Sequence, residues 1–281
     1  MAINFWELLQ QRQDSLTKSG RMVANYLMQH ADEAQYLSIS SLARECRVAE
    51  ATVFRFCRAL GFEGYHEMRI ALAQANATGS MVSQQEPEPG ASTATLCEHA
   101  NALFLTAISG TQNTLSPEAV DKASALLQKA QQVFCLGQGG STLQANDICA
   151  RFAGLNTKFR TAGDSHLQLM TASLMGPGDV VLFLSYSGAT RDMMETLRTA
   201  KAAGAQVILI THYEDSPGAE LADVVLLCGA QENPLDSGSL PIKVAVLYVA
   251  EVLLLRYMLD DPEHTNAAKD RTSEAMAVKM V

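Results

Sequence analysis

The stretch Val180 to Thr196, VVLFLSYSGATRDMMET, constrains this chain more than any other. Its five leading apolar residues, Val180 to Leu184, read as a strand buried on both faces, as in a parallel sheet. The run breaks into Ser185-Tyr186-Ser187-Gly188-Ala189-Thr190, and a helical pattern follows from Asp192. Three hydroxyls and a glycine thus stand where a strand hands over to a helix. Ligands of open parallel sheets bind at the carboxyl ends of the strands. A helix N-terminus offers unpaired N–H groups and partial positive charge to an anion. Hydroxyls add donors, and Gly188 lets the backbone approach closely. This chemistry favours a phosphate. The plainer reading is a strand–turn–helix in which Ser and Thr act only as caps.

Downstream of residue 130 the pattern alternates. Strands are expected at 133–137, 158–161, 180–185, 206–211 and 224–228, with helices at 143–155, 165–175 and 192–203 between the earlier ones. That order predicts a doubly wound α/β sheet with helices on both faces. The first strand runs into Gly137-Gln138-Gly139-Gly140-Ser141-Thr142. A dinucleotide fingerprint would need Gly at position 142 and an acid after the second strand, where Arg160-Thr161-Ala162 stands. A second phosphate-facing loop, with Ser141 as donor, fits better.

The first part of the chain is helical. Thr17 and Ser38 are cap candidates, and Ile39 to Glu45 is followed by the tight connection Cys46-Arg47-Val48. Glu50 to Leu60 then forms a second helix with Val53, Phe56, Cys57 and Leu60 on one face. Glu50, Ala51, Thr52, Arg55 and Arg58 lie on the other, and Gly61-Phe62 ends it. Two short helices joined by a turn make the helix-turn-helix pattern, whose second helix enters the major groove. Glu50, Ala51, Thr52 and Arg55 would reach base edges, with Arg47 and Arg58 on phosphates. A helical hairpin with a solvated charged face has the same spacing.

Charge supports a division by region. The 281 residues carry a net charge of −9. Residues 1–78 hold eight Lys/Arg and eight Asp/Glu, so the negative surplus lies beyond them. Four arginines, Arg44, Arg47, Arg55 and Arg58, cluster in the neutral part. Residues 78–95, rich in Gly, Ser, Gln, Glu and Pro, read as a linker. Further helices are expected at 96–115 and from Ser116-Pro117-Glu118. The six cysteines show no metal or redox spacing and suit reduced, buried thiols. No secretory signal is visible, and Val244 to Leu259, broken by Glu251 and Arg256, reads as a buried helix rather than a membrane span.

The loop at 137–141 together with Ser185 to Thr190 resembles the sugar isomerase (SIS) domain. Leu37 to Ala43 and Ala51 to Phe62 resemble the DNA-binding part of RpiR-type transcriptional regulators, which join these two modules in this order. The resemblance implies an all-α helix-turn-helix domain at 1–78 and a linker at 79–95. It implies a three-layer α/β SIS domain with a five-stranded parallel sheet at 96–281. It further implies that Ser141, Ser185, Ser187 and Thr190 hold the phosphate of a phosphosugar, helped by the N–H groups of Gly188 and Ala189. Glu232 would stand near the sugar, and the segment Asp164 to Gln168 at the mouth of the site. Ala49 departs from the family's usual capping Ser. The expected partners are a double-stranded DNA operator and a phosphosugar, in a cytoplasmic homodimer or homotetramer without cofactor, metal or membrane. The alternatives are a phosphosugar isomerase using Glu232 and His166, and a purely structural scaffold. His166 and His212 are expected to be ordinary polar loop residues.

Overall fold

A computed structural model describes residues 5–12, 16–79, 87, 89–229 and 240–279. Six helices come first: α1 (Phe5–Arg12), α2 (Lys18–Gln29), α3 (Ala31–Ala34), α4 (Ile39–Glu45), α5 (Glu50–Ala59) and α6 (Tyr65–Gly79). Then follow α7 (Thr93–Thr114), α8 (Pro117–Lys129), β1 (Gln132–Gly137), α9 (Gly140–Ala153), β2 (Phe159–Thr161), α10 (Ser165–Ser173), β3 (Asp179–Leu184) and α11 (Arg191–Ala202). The chain continues through β4 (Gln206–Thr211), α12 (Pro217–Leu221), β5 (Val224–Leu227), α13 (Leu240–Asp260) and α14 (Pro262–Ala277). It divides into two compact units, and the division falls inside α7, after Ala102.

The first unit closes over its own core. Phe5 and Leu9 of α1, Val23 and Leu27 of α2, Leu42 of α4 and Val53, Phe56 and Cys57 of α5 are all buried. These residues recur at three- and four-residue spacing, so each helix presents one apolar stripe. Burying each large side chain contributes about 1.5–3 kcal/mol. The starts of α2 and α4 are fixed by hydroxyls. Thr17 accepts from the N–H of Gly20, and Ser38 from that of Ser41. Both α4 and α5 end in a Schellman turn. At the end of α5, Phe62 N–H donates to Cys57 O and Gly61 N–H to Arg58 O, with Gly61 at φ +94°. At the end of α4, Val48 N–H donates to Ala43 O and Arg47 N–H to Arg44 O. Here the left-handed position is held by Arg47, at φ +53°.

One start is bare. Ala49 has the extended backbone of an N-cap, with no side chain to accept a bond. Ala49→Ser is therefore expected to stabilise this unit by about 1 kcal/mol. Urea unfolding followed by tryptophan fluorescence checks it, because the one tryptophan, Trp6, packs against this core.

In the second unit the five strands are all parallel, in the order β2-β1-β3-β4-β5. Alternation along β3 builds the layers. Val180, Leu182 and Leu184 face a core shared with α8, α9 and α13, through Leu127, Ile148, Phe152, Val249 and Leu253. Val181 and Phe183 face the opposite core, shared with α10 and α11 through Ala172, Met193, Leu197 and Ala200. Both faces are covered, as the unbroken apolar run of β3 requires. The expected helix-turn-helix unit and three-layer α/β domain with a five-stranded parallel sheet are both observed.

Some elements differ from expectation. Helix α7 begins at Thr93, inside the stretch read as linker, because Ser92 caps it: its Oγ accepts from Thr95 N–H at 3.2 Å. Helix α13 extends past Val244 to Leu240 and past Leu259 to Asp260. Helix α14 was not anticipated. Only Thr265 and Ala268 among its residues are buried, so it lacks an apolar stripe. Its start is nonetheless marked by the capping Asp261 and by Pro262 at the first helical position.

Candidate functional site

The strand register decides what meets at the carboxyl edge of the sheet. Gly137 of β1 pairs with Leu184 of β3, so the two loops that follow leave from neighbouring tips. The switch in strand order falls between β1 and β3, where doubly wound folds place their ligands.

After β3 the chain makes a tight turn that gathers Ser185, Ser187, Gly188, Ala189 and Thr190. Ser185 is buried, its N–H donating to Ile210 O, and its Oγ lies 3.2 Å from Thr190 Oγ1. Gly188 N–H donates to Ser185 O, and Ala189 N–H reaches Ser187 Oγ at 3.4 Å. Gly188 sits at φ +58°. A Cβ there would collide with Ser216 Oγ and press on Thr211 Oγ1 at 3.0 Å. Glycine is therefore required twice, by conformation and by space.

After β1 the turn is made by Gly139 at φ +55°. Ser141 is the second residue of α9 and half-buried. Gln168 of α10 fastens this loop from below. It is buried, and its Nε2 donates to Gly137 O at 2.8 Å and to Ala162 O at 3.3 Å. The tips of β1 and β2 are thus tied to α10. Asp164 caps α10, and His166 is exposed in its first turn.

The helix starts at these tips are distinctive. Helices α8, α10, α12 and α14 each have a side-chain cap, from Ser116, Asp164, Ser216 and Asp261. Helices α9 and α11, which begin at the two loops, have none. At α9 the N–H groups of Ser141 and Thr142 donate to Gln138 O and Gly139 O, at 3.1 and 3.2 Å, whereas those at the start of α11 are left for another acceptor, and the helix dipole favours a negative one. Four hydroxyl side chains and two uncapped helix starts together suit a phosphate.

Three neighbours support this turn, two of them, Thr211 and Ser216, without a signal that marks them for it in the sequence. Thr211 at the end of β4 donates from Oγ1 to Tyr186 O at 3.0 Å. Ser216 sits under Gly188 and caps α12; the pair Ser216-Pro217 was its signal. His212 follows β4 as a loop residue, as expected, and is held on two sides. Its ring stacks on Tyr186 at 5.0 Å and 9°, and its Nδ1 lies 2.8 Å from Cys228 O. Burial pushes its pKa below the ordinary imidazole value. Glu232 lies outside the described residues.

In the first unit, Glu50, Ala51, Arg55 and Arg58 of α5 are exposed, and Thr52 is half-buried. Arg55 Nη2 donates to Thr52 Oγ1 at 3.1 Å, which pre-orients the guanidinium along the helix. The Glu50 carboxylate accepts from Ser40 Oγ of α4, bracing the two helices of the motif. Arg47, at the tip of the turn, is exposed. It holds a left-handed backbone that costs a non-glycine residue about 1–2 kcal/mol. Helix α5 is a further helix without a side-chain cap.

A neutral helix-turn-helix unit and a parallel-sheet unit with an anion-suited edge define a DNA-binding regulator with a sensing domain. Comparison with known proteins agrees. Residues 3–79 match the helix-turn-helix domain of the rpiR family, and residues 126–256 match the SIS domain. The chain is 32% identical over 278 residues to the HTH-type transcriptional regulator HexR of Pseudomonas aeruginosa, covering 95% of each. It is 29% identical over 282 residues to an uncharacterized HTH-type transcriptional regulator of Caldanaerobacter subterraneus, covering 98% of this chain and 97% of that one. Among solved structures, the Vibrio vulnificus NanR protein complexed with ManNAc-6P superposes with a TM-score of 0.89 at 25% identity. That match covers 99% of this chain and 100% of the other. The chain belongs to the RpiR family of helix-turn-helix transcriptional regulators.

Proposed function

We propose that this regulator changes its affinity for a DNA operator when a phosphorylated sugar occupies the tips of β1 and β3. The observation that carries this reading is the pair of uncapped helix starts, α9 and α11, at adjacent strand tips lined by Ser141, Ser185, Ser187 and Thr190. The NanR relative, with ManNAc-6P bound, supports a phosphosugar as the effector class. In this reading residues 1–78 read DNA, 79–95 link, and 96–281 sense. Arg55, with Glu50, Ala51 and Thr52, reads base edges, while Arg47 and Arg58 hold phosphates.

The protein acts as a sensor rather than as an isomerase. Its named relatives are regulators. An isomerase needs a base and an acid at the sugar carbons; of the pair expected for it, Glu232 and His166, the latter stands exposed on α10. Two copies would present two α5 helices to a roughly palindromic operator. Exposed Leu96 and Leu105 on α7, and Leu255 and Leu259 on α13, suit self-association in a cytoplasmic homodimer or homotetramer. No helix among the described residues is long and apolar enough to cross a membrane.

The test is a thermal-shift panel of hexose phosphates, pentose phosphates and phosphorylated amino sugars, with the unphosphorylated sugars as controls. The reading expects stabilisation by at least one phosphorylated member and by none of its unphosphorylated counterparts. Equal shifts for both would remove the phosphate from the account. Turnover of any member, followed as aldose–ketose interconversion, would instead establish the isomerase.

A further inference from the structure

A chain of short contacts runs from the phosphate turn to α7, and α7 is the helix in which the two units meet in sequence. Tyr186 stands between Ser185 and Ser187, so a phosphate held by those hydroxyls fixes its backbone. Tyr186 O accepts from the His212 N–H at 3.1 Å and from Thr211 Oγ1 at 3.0 Å. The Tyr186 ring lies flat against the His212 ring. The next partner, Cys228 O, can only accept, so Nδ1 of His212 carries the proton of that 2.8 Å bond. One residue on, Gly229 N–H donates to Thr111 Oγ1 of α7 at 3.2 Å. Thr111 is fully buried, and its hydroxyl in turn donates to Ala107 O at 2.7 Å.

The last contact is unusually close. A Cβ on Gly110 would lie 2.9 Å from Gly229 O, and one on Gly229 would run into the Gly110 carbonyl. Two glycines therefore let the backbone after β5 lie directly on the backbone of α7. Ala107 and Thr111 are the buried residues of this helix, one turn apart at the glycine contact. Residues Thr93–Ala102 of the same helix belong to the unit that holds the helix-turn-helix.

We infer that Tyr186, His212, the backbone of Cys228 and Gly229, and Thr111 form the relay through which occupancy of the phosphate turn biases α7. The relay deepens the proposed function and rests on it. Coupling between two sites is reciprocal, so operator DNA must change sugar affinity by the same factor that sugar changes operator affinity. A severed relay removes that factor and leaves both binding sites intact. The two outer links can be cut separately. Thr111→Val removes the hydroxyl at nearly constant shape, and Thr111→Ser keeps it. His212→Phe keeps a ring over Tyr186, and the backbone bond to Tyr186 O, but has no ring N–H to donate to Cys228 O.

The experiment is calorimetric titration of the full-length protein with the sugar phosphate giving the largest thermal shift, with and without a saturating operator duplex. In the wild type the two dissociation constants should differ by about fivefold or more. In Thr111→Val the ratio should fall to about one, and in His212→Phe it should fall below the wild-type value, with the DNA-free constant within about twofold of wild type in both. Thr111→Ser should restore the wild-type ratio. A wild-type ratio retained in both Thr111→Val and His212→Phe overturns the relay alone. So does a ratio lost equally in Thr111→Ser, which would trace the effect to helix packing. A wild-type protein that binds no member of the panel overturns the sensing function beneath it.

Discussion

Replacing both Ser185 and Ser187 by alanine should weaken phosphosugar binding by about 100-fold or more while ligand-free operator affinity stays within about twofold. A hydrogen bond to a charged group contributes about 1.5–3 kcal/mol, and the pair removes two of them. Every 1.4 kcal/mol is a factor of ten in affinity, so even the low end gives about two decades. The fold should survive. Ser187 is half-buried and Ser185 gives up only its contact with Thr190 Oγ1, while its backbone bond to Ile210 O is kept. Calorimetry of the variant against the best panel member measures the loss. Undiminished affinity would place the phosphate away from the β3 tip.

Arg55→Ala should lower affinity for a specific operator by about 1–3 kcal/mol, or roughly five- to 150-fold, and relax preference at one base-pair position. The guanidinium is exposed on α5 and braced by Thr52 Oγ1, so little of the fold depends on it. Arg47→Ala should behave differently. It reaches out from the turn between α4 and α5, and a phosphate contact carries no sequence information. Its loss should weaken all sequences alike and reduce the salt dependence by about one unit of slope. Fluorescence anisotropy on an operator and on scrambled duplexes, at several salt concentrations, separates the two. Arg55→Ala with unchanged discrimination would remove α5 from the major groove.

Much of this molecule is legible in its sequence, and the physical reason differs by element. Strand β3 is plain because both its faces are buried, so five apolar residues stand in a row. Helix α5 is plain because Val53, Phe56, Cys57 and Leu60 keep helical spacing and Gly61 marks the stop. The matching stop of α4 is hidden, because Arg47 takes the left-handed place that glycine usually advertises. Helix α14 is hidden because it buries too little for a periodic pattern. The hydroxyls of the turn after β3 are local and can be read. Their supports are not: Gly188 needs Ser216, and Gln168 needs the carbonyl of Gly137, and only the folded sheet brings these together.

The most direct test of the central claim is one titration. An operator duplex, selected from a random pool with the full-length protein, is titrated by anisotropy without ligand and with a saturating phosphosugar from the thermal-shift panel. The same sugar without its phosphate serves as the control. The account predicts a shift in operator affinity of about fivefold or more with the phosphorylated sugar and none with the control. A sugar phosphate that binds and stabilises the protein yet leaves operator affinity unchanged would contradict it.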